Sequence, residues 1–158
     1  MRKRIVGYGR RDPSPAAQLW LDLESLVRVE VTSEDADHSI ESALVPSAGS
    51  GWRAAQSGVQ MIRLLFDEPL RLRRILLEFH EDGQERTQEF VLRWSPDRGQ
   101  SYRELLRQQY NFSPPDTTRE VEDYEVDLDG VTALELRIVP DIHGGSVRAS
   151  LAQLRLAS

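Results

Sequence analysis

The 158-residue chain has no cysteine, which excludes thiol catalysis, disulfide frameworks and cysteine-ligated zinc together. No apolar run approaches the ~18 residues that a membrane-spanning helix needs. Histidine is scarce, with three in all, and their spacing nominates no base oriented beside a nucleophile. Phosphate-cradling glycine loops and the His-Glu-x-x-His pair are missing. Gly7-Tyr8-Gly9 lacks the strand, third glycine and helix of a dinucleotide fingerprint. Carboxylate pairs are plentiful, but in so acidic a chain any pair can be chosen after the fact. These absences speak against an enzyme. Internal repeats and low-complexity tracts are also absent.

What is present suits one domain with an ordinary core: 39% of residues are apolar and 29% charged. The net charge is −6, distributed unevenly. Arg2, Lys3, Arg4, Arg10 and Arg11 against Asp12 put the first twelve residues at +4, so the remaining 146 carry −10. An acidic body disfavours nucleic acid, whose binding is driven by neutralising phosphates. The basic head reads as a solvated terminus. Met1-Arg2-Lys3-Arg4 looks like the start of a signal peptide, but Ile5 to Arg10 is not an apolar stretch. A cytoplasmic location is the expectation.

Along the chain, residues 1–25 read as an N-terminal extension, partly disordered or with a short helix at its end. From residue 26 the apolar period is two, the signature of half-buried strands. Val27, Val29 and Val31 form the first face, and Ile62, Leu64 and Phe66 the second, closed by Asp67-Glu68-Pro69. Ile75, Leu77 and Phe79 follow, then Phe90, Leu92 and Trp94, and more weakly Tyr102 to Gln109. Tyr124, Val126 and Leu128 alternate with acidic residues, which read as a solvated face rather than a cation site. Leu134, Leu136 and Ile138, then Ala152, Leu154 and Leu156, complete about eight strands. Evenly spaced short strands predict an all-β antiparallel sandwich or barrel.

The long connection from Arg107 to Glu120 contains Pro114-Pro115 and reads as a functional loop. Within it, Tyr110, Asn111 and Phe112 put aromatic faces and a planar amide together, the chemistry that sugar C–H surfaces and hydroxyls require. The alternative is that Tyr110 and Phe112 plug the open end of the sandwich. His143, near Asp141 and Arg148, lies in the loop 140–148. His80, Glu81, Asp82 and Arg86 lie in another. His38 reads as a surface residue, and Trp52 and Trp94 read as core.

Several segments in order resemble a known family. Gly51-Trp52-Arg53, Val59 to Leu64, Phe66-Asp67-Glu68-Pro69, and Phe90 to Ser95 with Asp97, Gly99 and Tyr102 resemble discoidin domains. So do Leu136 to Pro140, Gly144-Gly145 and Ala149-Ser150-Leu151-Ala152 near the C-terminus. These domains are also called coagulation factor 5/8 type C domains, or family 32 carbohydrate-binding modules in bacterial proteins. The resemblance covers residues 25–157. It implies a galactose-binding-domain-like jelly roll of eight strands over 26–158, with ligands meeting loops at one end.

On that reading the chain is a non-catalytic module for a carbohydrate. Tyr110 and Phe112 stack on the ligand, Asn111, Arg119 and His143 hydrogen-bond to it, and Arg86 lies nearby. The alternative is an intracellular protein–protein interaction module using the same loop end. No cofactor is expected. The family often holds a structural calcium, for which Asp35 and Asp37 remain as oxygen donors. Against it, Gln153 stands where the family has a glutamate, and Pro46-Ser47-Ala48-Gly49 replaces an Asp-Gly pair.

Overall fold

A computed structural model of the chain describes residues 20–46 and 50–158. The basic head and Ser47-Ala48-Gly49 lie outside the described residues. Trp20 and Leu21 lead into α1 (Leu23–Leu26), a single turn that buries Leu23. The Leu21 amide donates to the Leu156 carbonyl at 2.8 Å, so this segment is tied to the last strand. Strand β1 (Val27–Val31) follows, with its valines half-buried and Arg28 and Glu30 exposed. A second short helix, α2 (Glu41–Leu44), buries Ala43 and Leu44. Then come β2 (Trp52–Ser57) and β3 (Gln60–His80).

Strand β3 runs 21 residues and joins two segments that the sequence reads as separate strands. Asp67, Glu68 and Pro69 are exposed, but they mark a bend rather than a chain reversal. Ladder pairing with β6 (Arg119–Val139) skips there, from Leu65 opposite Ala133 to Leu70 opposite Val131. Proline has no N–H to donate, so it is tolerated where a ladder is interrupted. The buried parity also changes along the strand. Ile62, Leu64 and Phe66 face inward before the bend and Leu72 keeps that parity just beyond it, whereas Ile75, Leu77 and Phe79 face inward after the last register shift, between Leu72 and Arg74. Strand β6 is likewise one strand where the sequence suggests two.

These bends turn a continuous sheet into two layers. The first half of β3 and the second half of β6 pair with each other, flanked by β1 on one side and β4 (Arg86–Ser95) on the other. Strand β5 (Arg103–Phe112) closes that layer beside β4. The second half of β3 pairs with the first half of β6 and with β8 (Gln153–Ala157). Strand β7 (Arg148–Leu151) pairs only with β2, as a separate two-stranded sheet. Phe79 of β3 stacks on Phe90 of β4, centroids 5.4 Å apart, which clasps the layers together. The architecture is the antiparallel β-sandwich expected, with strand breaks at different places. Among the described residues no helix is long and apolar enough to cross a membrane.

Candidate functional site

Three short pieces of chain meet beside the end of β3. Gly51 is the first constraint. Its φ of +94° suits glycine, and a Cβ there would stand 2.5 Å from the Leu151 carbonyl oxygen. This close approach lays β2 against β7. Trp52 is then buried, with its indole N–H donating to the Ser33 carbonyl at 3.0 Å. Alternation turns Arg53 outward, opposite Ser150 in register, while Arg148 stands opposite Ser57.

The connection between β3 and β4 faces this pair. Glu81 organises it: one carboxylate oxygen accepts from the Gly83 amide at 3.0 Å, and the other from Arg86 Nε at 2.6 Å. Burial opposes ionisation of Glu81, but the Gly83 amide and the Arg86 guanidinium outweigh it and hold the carboxyl below its usual value. Arg86 itself is buried. It also donates to the Pro140 carbonyl at 2.8 Å and to Gln88 at 3.1 Å, and lies over the Phe112 ring at 4.6 Å.

Between the loop and the strand pair is a cavity of about 460 Å³. Arg53 and Arg148 line it from the strands, and His80, Glu81, Asp82 and Gln84 from the loop side. Gly83 and Ser150 complete the wall, so no described lining residue is a phenylalanine, tyrosine or tryptophan. A neighbouring cavity of about 350 Å³ shares His80 and reaches Glu78, Gln153 and Arg155. Glu78 is the hub there, accepting from Arg119 at 2.6 Å and Gln153 at 3.2 Å, with His80 Nε2 at 2.7 Å. Burial raises the Glu78 carboxyl, but these partners together bring it below its ordinary value.

The second cavity bears on calcium. Gln153 donates its amide N–H to Glu78. The Ala43 carbonyl accepts from buried Arg155 at 2.8 Å, so a fixed guanidinium already stands in this region. Asp35 caps the Asp37 amide at 3.1 Å. No group of three or more acidic or imidazole side chains gathers for a metal among the described residues. Calcium wants six to eight oxygen donors.

The structure disperses the residues nominated from sequence. Strand β5 continues through Phe112, so the connection to β6 spans only residues 113–118. Phe112 is wholly buried and offers no face to a ligand. Tyr110 is half-buried, set edge-on to Phe112 at 4.9 Å, and donates its hydroxyl to the Arg119 carbonyl. The plug reading of these two rings is the one the packing follows. Asn111 is exposed on the strand and accepts from Thr87 at 2.7 Å. Arg119 is exposed, and its charge is matched by Glu78. Arg86 belongs to β4 and supports the loop from below instead of facing solvent. His143 is exposed and leans on Asp141 at 3.3 Å. None of the six lines the larger cavity. Trp94 is half-buried rather than core, with Arg103 over its ring at 5.2 Å.

Arg53 and Arg148 fall in segments read from sequence as recognition loops, 34–53 and 140–148, but neither side chain is singled out there as a ligand contact. Their proximity depends on the β2–β7 pairing, which joins segments nearly a hundred residues apart. The readable hint was local: a residue after a buried tryptophan in a strand must point outward.

No family model and no curated sequence matches the chain. Solved structures do match in fold. A module of Clostridium perfringens, CpGH89CBM32-5 in complex with GalNAc-β-1,3-galactose, superposes with a TM-score of 0.64 at 16% identity, covering 89% of this chain and 100% of that one. A pectin binding carbohydrate binding module gives 0.57 at 17% identity, over 84% and 91% of the two chains. The family 32 module of AlyQ, in complex with 4,5-unsaturated mannuronic acid, gives 0.57 at 18%, over 89% and 98%. The chain shares the β-sandwich fold of these carbohydrate-binding modules.

Proposed function

We propose that the chain is a non-catalytic module that binds a carbohydrate in the cavity between the β3–β4 connection and the β2–β7 pair. The observation carrying this is the cavity itself: an open, polar recess of about 460 Å³ at the rim of a fold shared with carbohydrate-binding modules. Rim loops on a rigid sandwich are where recognition concentrates. The volume suits one or two sugar rings. The lining offers guanidinium, amide, carboxylate and hydroxyl groups, which match the donor and acceptor mixture of a saccharide.

The cavity chemistry favours binding over reaction. Glu81 is held by Arg86 and the Gly83 amide, and His80 is engaged by Glu78. Nor does the surface favour a broad protein interface. Among the described residues the exposed large apolar side chains are Val59, Val121 and Ile142, too few for an extensive apolar patch.

Titration of a glycan panel, followed by backbone amide NMR, tests the assignment. Saturable shifts centred on Gly83, Gln84 and Arg148 are expected, with Gln84→Ala weakening binding by about tenfold. Shifts centred on Asn111 and Tyr110 would overturn the site, and no response to any glycan would overturn the function.

A further inference from the structure

We propose that the saccharide is an acidic one, and that Arg53 and Arg148 hold its carboxylate. This inference rests on the carbohydrate reading of the cavity and adds the class of sugar. It begins with the charges in the recess that are not already committed. Glu81 is matched by Arg86 at 2.6 Å. His80 is taken by Glu78, whose second oxygen is held by Arg119 at 2.6 Å. Arg53 is exposed and has no carboxylate within ion-pair distance among the described residues. Arg148 has only Asp35, at the outer limit of 3.9 Å, and both side chains remain accessible. Asp82 is the one acidic side chain in the wall without a cationic partner. Counted with Asp35 and Asp82, the two guanidiniums balance the nearby carboxylates, and among the described residues Arg53 is the cation of the wall with no ion-pair partner.

The backbone fixes the spacing of the pair. Arg53 stands opposite Ser150 and Arg148 lies two residues before it, so both arginines rise from the same two-stranded ribbon beside the cavity. Gly51 and buried Trp52 anchor that ribbon immediately before Arg53. Guanidinium groups present paired N–H donors that match a carboxylate, and they are more weakly hydrated than an ammonium. Neutral sugars in shallow sites gain much of their affinity from an aromatic floor under their C–H faces. The described wall has no phenylalanine, tyrosine or tryptophan, its one ring being the His80 imidazole that Glu78 engages, and Tyr110 and Phe112 lie elsewhere. Charge is the main source of affinity left to this recess. The ligand class is therefore a uronic-acid-containing oligosaccharide.

The test compares tri-galacturonate and tri-mannuronate with the methyl ester of the first and with galactotriose, by calorimetry at two salt concentrations. Binding of at least one acidic trimer is expected. Esterification should weaken it by about tenfold or more, as should Arg53→Gln and Arg148→Gln separately. Raising sodium chloride from about 50 to 500 mM should weaken it several-fold, since these side chains are only partly shielded. Arg71→Gln, which removes an arginine paired with Asp127 outside the cavity, should leave affinity unchanged. Neutral and esterified sugars binding as well as the acidic trimers would overturn the inference while preserving the carbohydrate function. Equal losses in the Arg71 and Arg148 variants would reduce the effect to general charge and overturn it too. Should no sugar of either kind bind, the functional proposal itself fails.

Discussion

Arg86 shows how one side chain serves the site without touching it. Its guanidinium is buried, yet it satisfies Glu81, Gln88 and the Pro140 carbonyl, and so joins the β3–β4 connection to the start of the last loop. Removing one member of a buried ion pair leaves the other charge without compensation, which costs about 3–5 kcal/mol. Arg86→Met should therefore lower unfolding stability in urea by about that amount and weaken glycan binding together with it. Lysine should recover little of either, since it lacks the planar fork that reaches three partners. A stability loss below about 1 kcal/mol in Arg86→Met would contradict the role assigned to the residue. Gly51 makes a second test at this scale. Gly51→Ala forces both a disfavoured φ and a clash with the Leu151 carbonyl, and should cost about 2 kcal/mol or more by thermal melting. The same change at Gly58, where nothing stands within 4 Å of the added atom, retains only the φ strain and should cost less.

The elements place these residues, and the bent strands decide where. Phe79 and Phe90 come from different layers, so their stack depends on β3 and β4 facing one another. Phe79→Ala should lose about 3–5 kcal/mol in denaturant unfolding, and the double variant with Phe90→Ala should lose less than the two single losses added. Strict additivity would mean that the rings do not clasp the layers. Much at this scale was legible from sequence. Alternation in Val27 to Val31, Phe90 to Trp94 and Leu134 to Ile138 marks real strands, because a residue's neighbours along the chain fix which face it presents. The bends were not legible. Asp67-Glu68-Pro69 carries the chemistry of a turn, and only pairing with β6 shows that the chain continues past it. Loop 107–120 was misread for a related reason. Pro114-Pro115 punctuates the chain, but Tyr110, Asn111 and Phe112 still alternate as half-buried, exposed and buried along β5. Their polar neighbours on an edge strand made that alternation look like a loop. The cavity was the least legible feature, since Arg53 and Arg148 meet only through a long-range pairing of two short strands.

For the molecule as a whole, pH stability follows from carboxyls shifted in opposite directions. Glu78 and Glu81 are held below their ordinary value of 4.5. The unfolded chain then takes up protons at these groups before the folded one does, so the stability they supply is complete above that value and is lost as pH falls. Glu120 works the other way. It continues the inward-facing parity of Tyr124 and Val126 into the sandwich, where it accepts from Gln88 at 3.1 Å, while Val121 is left exposed. Burial, then the neighbouring Glu122, pushes its carboxyl up to about 9. The folded state holds this proton more tightly than the unfolded chain, so its contribution is complete below the ordinary value of 4.5 and drains away as pH rises toward 9. Stability should therefore peak in mild acid and decline toward alkaline pH. Glu120→Gln replaces the protonated acid by a neutral group of similar shape that still accepts from Gln88. Its melting temperature should match the wild type near pH 5 and exceed it near pH 8, by about 2–4 °C for each kcal/mol recovered. Measuring both proteins across that range isolates the group: parallel curves would show that the folded and unfolded chains lose the Glu120 proton over the same range. A gap that opens steadily with pH would place the buried carboxyl, rather than the surface charge, in control of the alkaline limb.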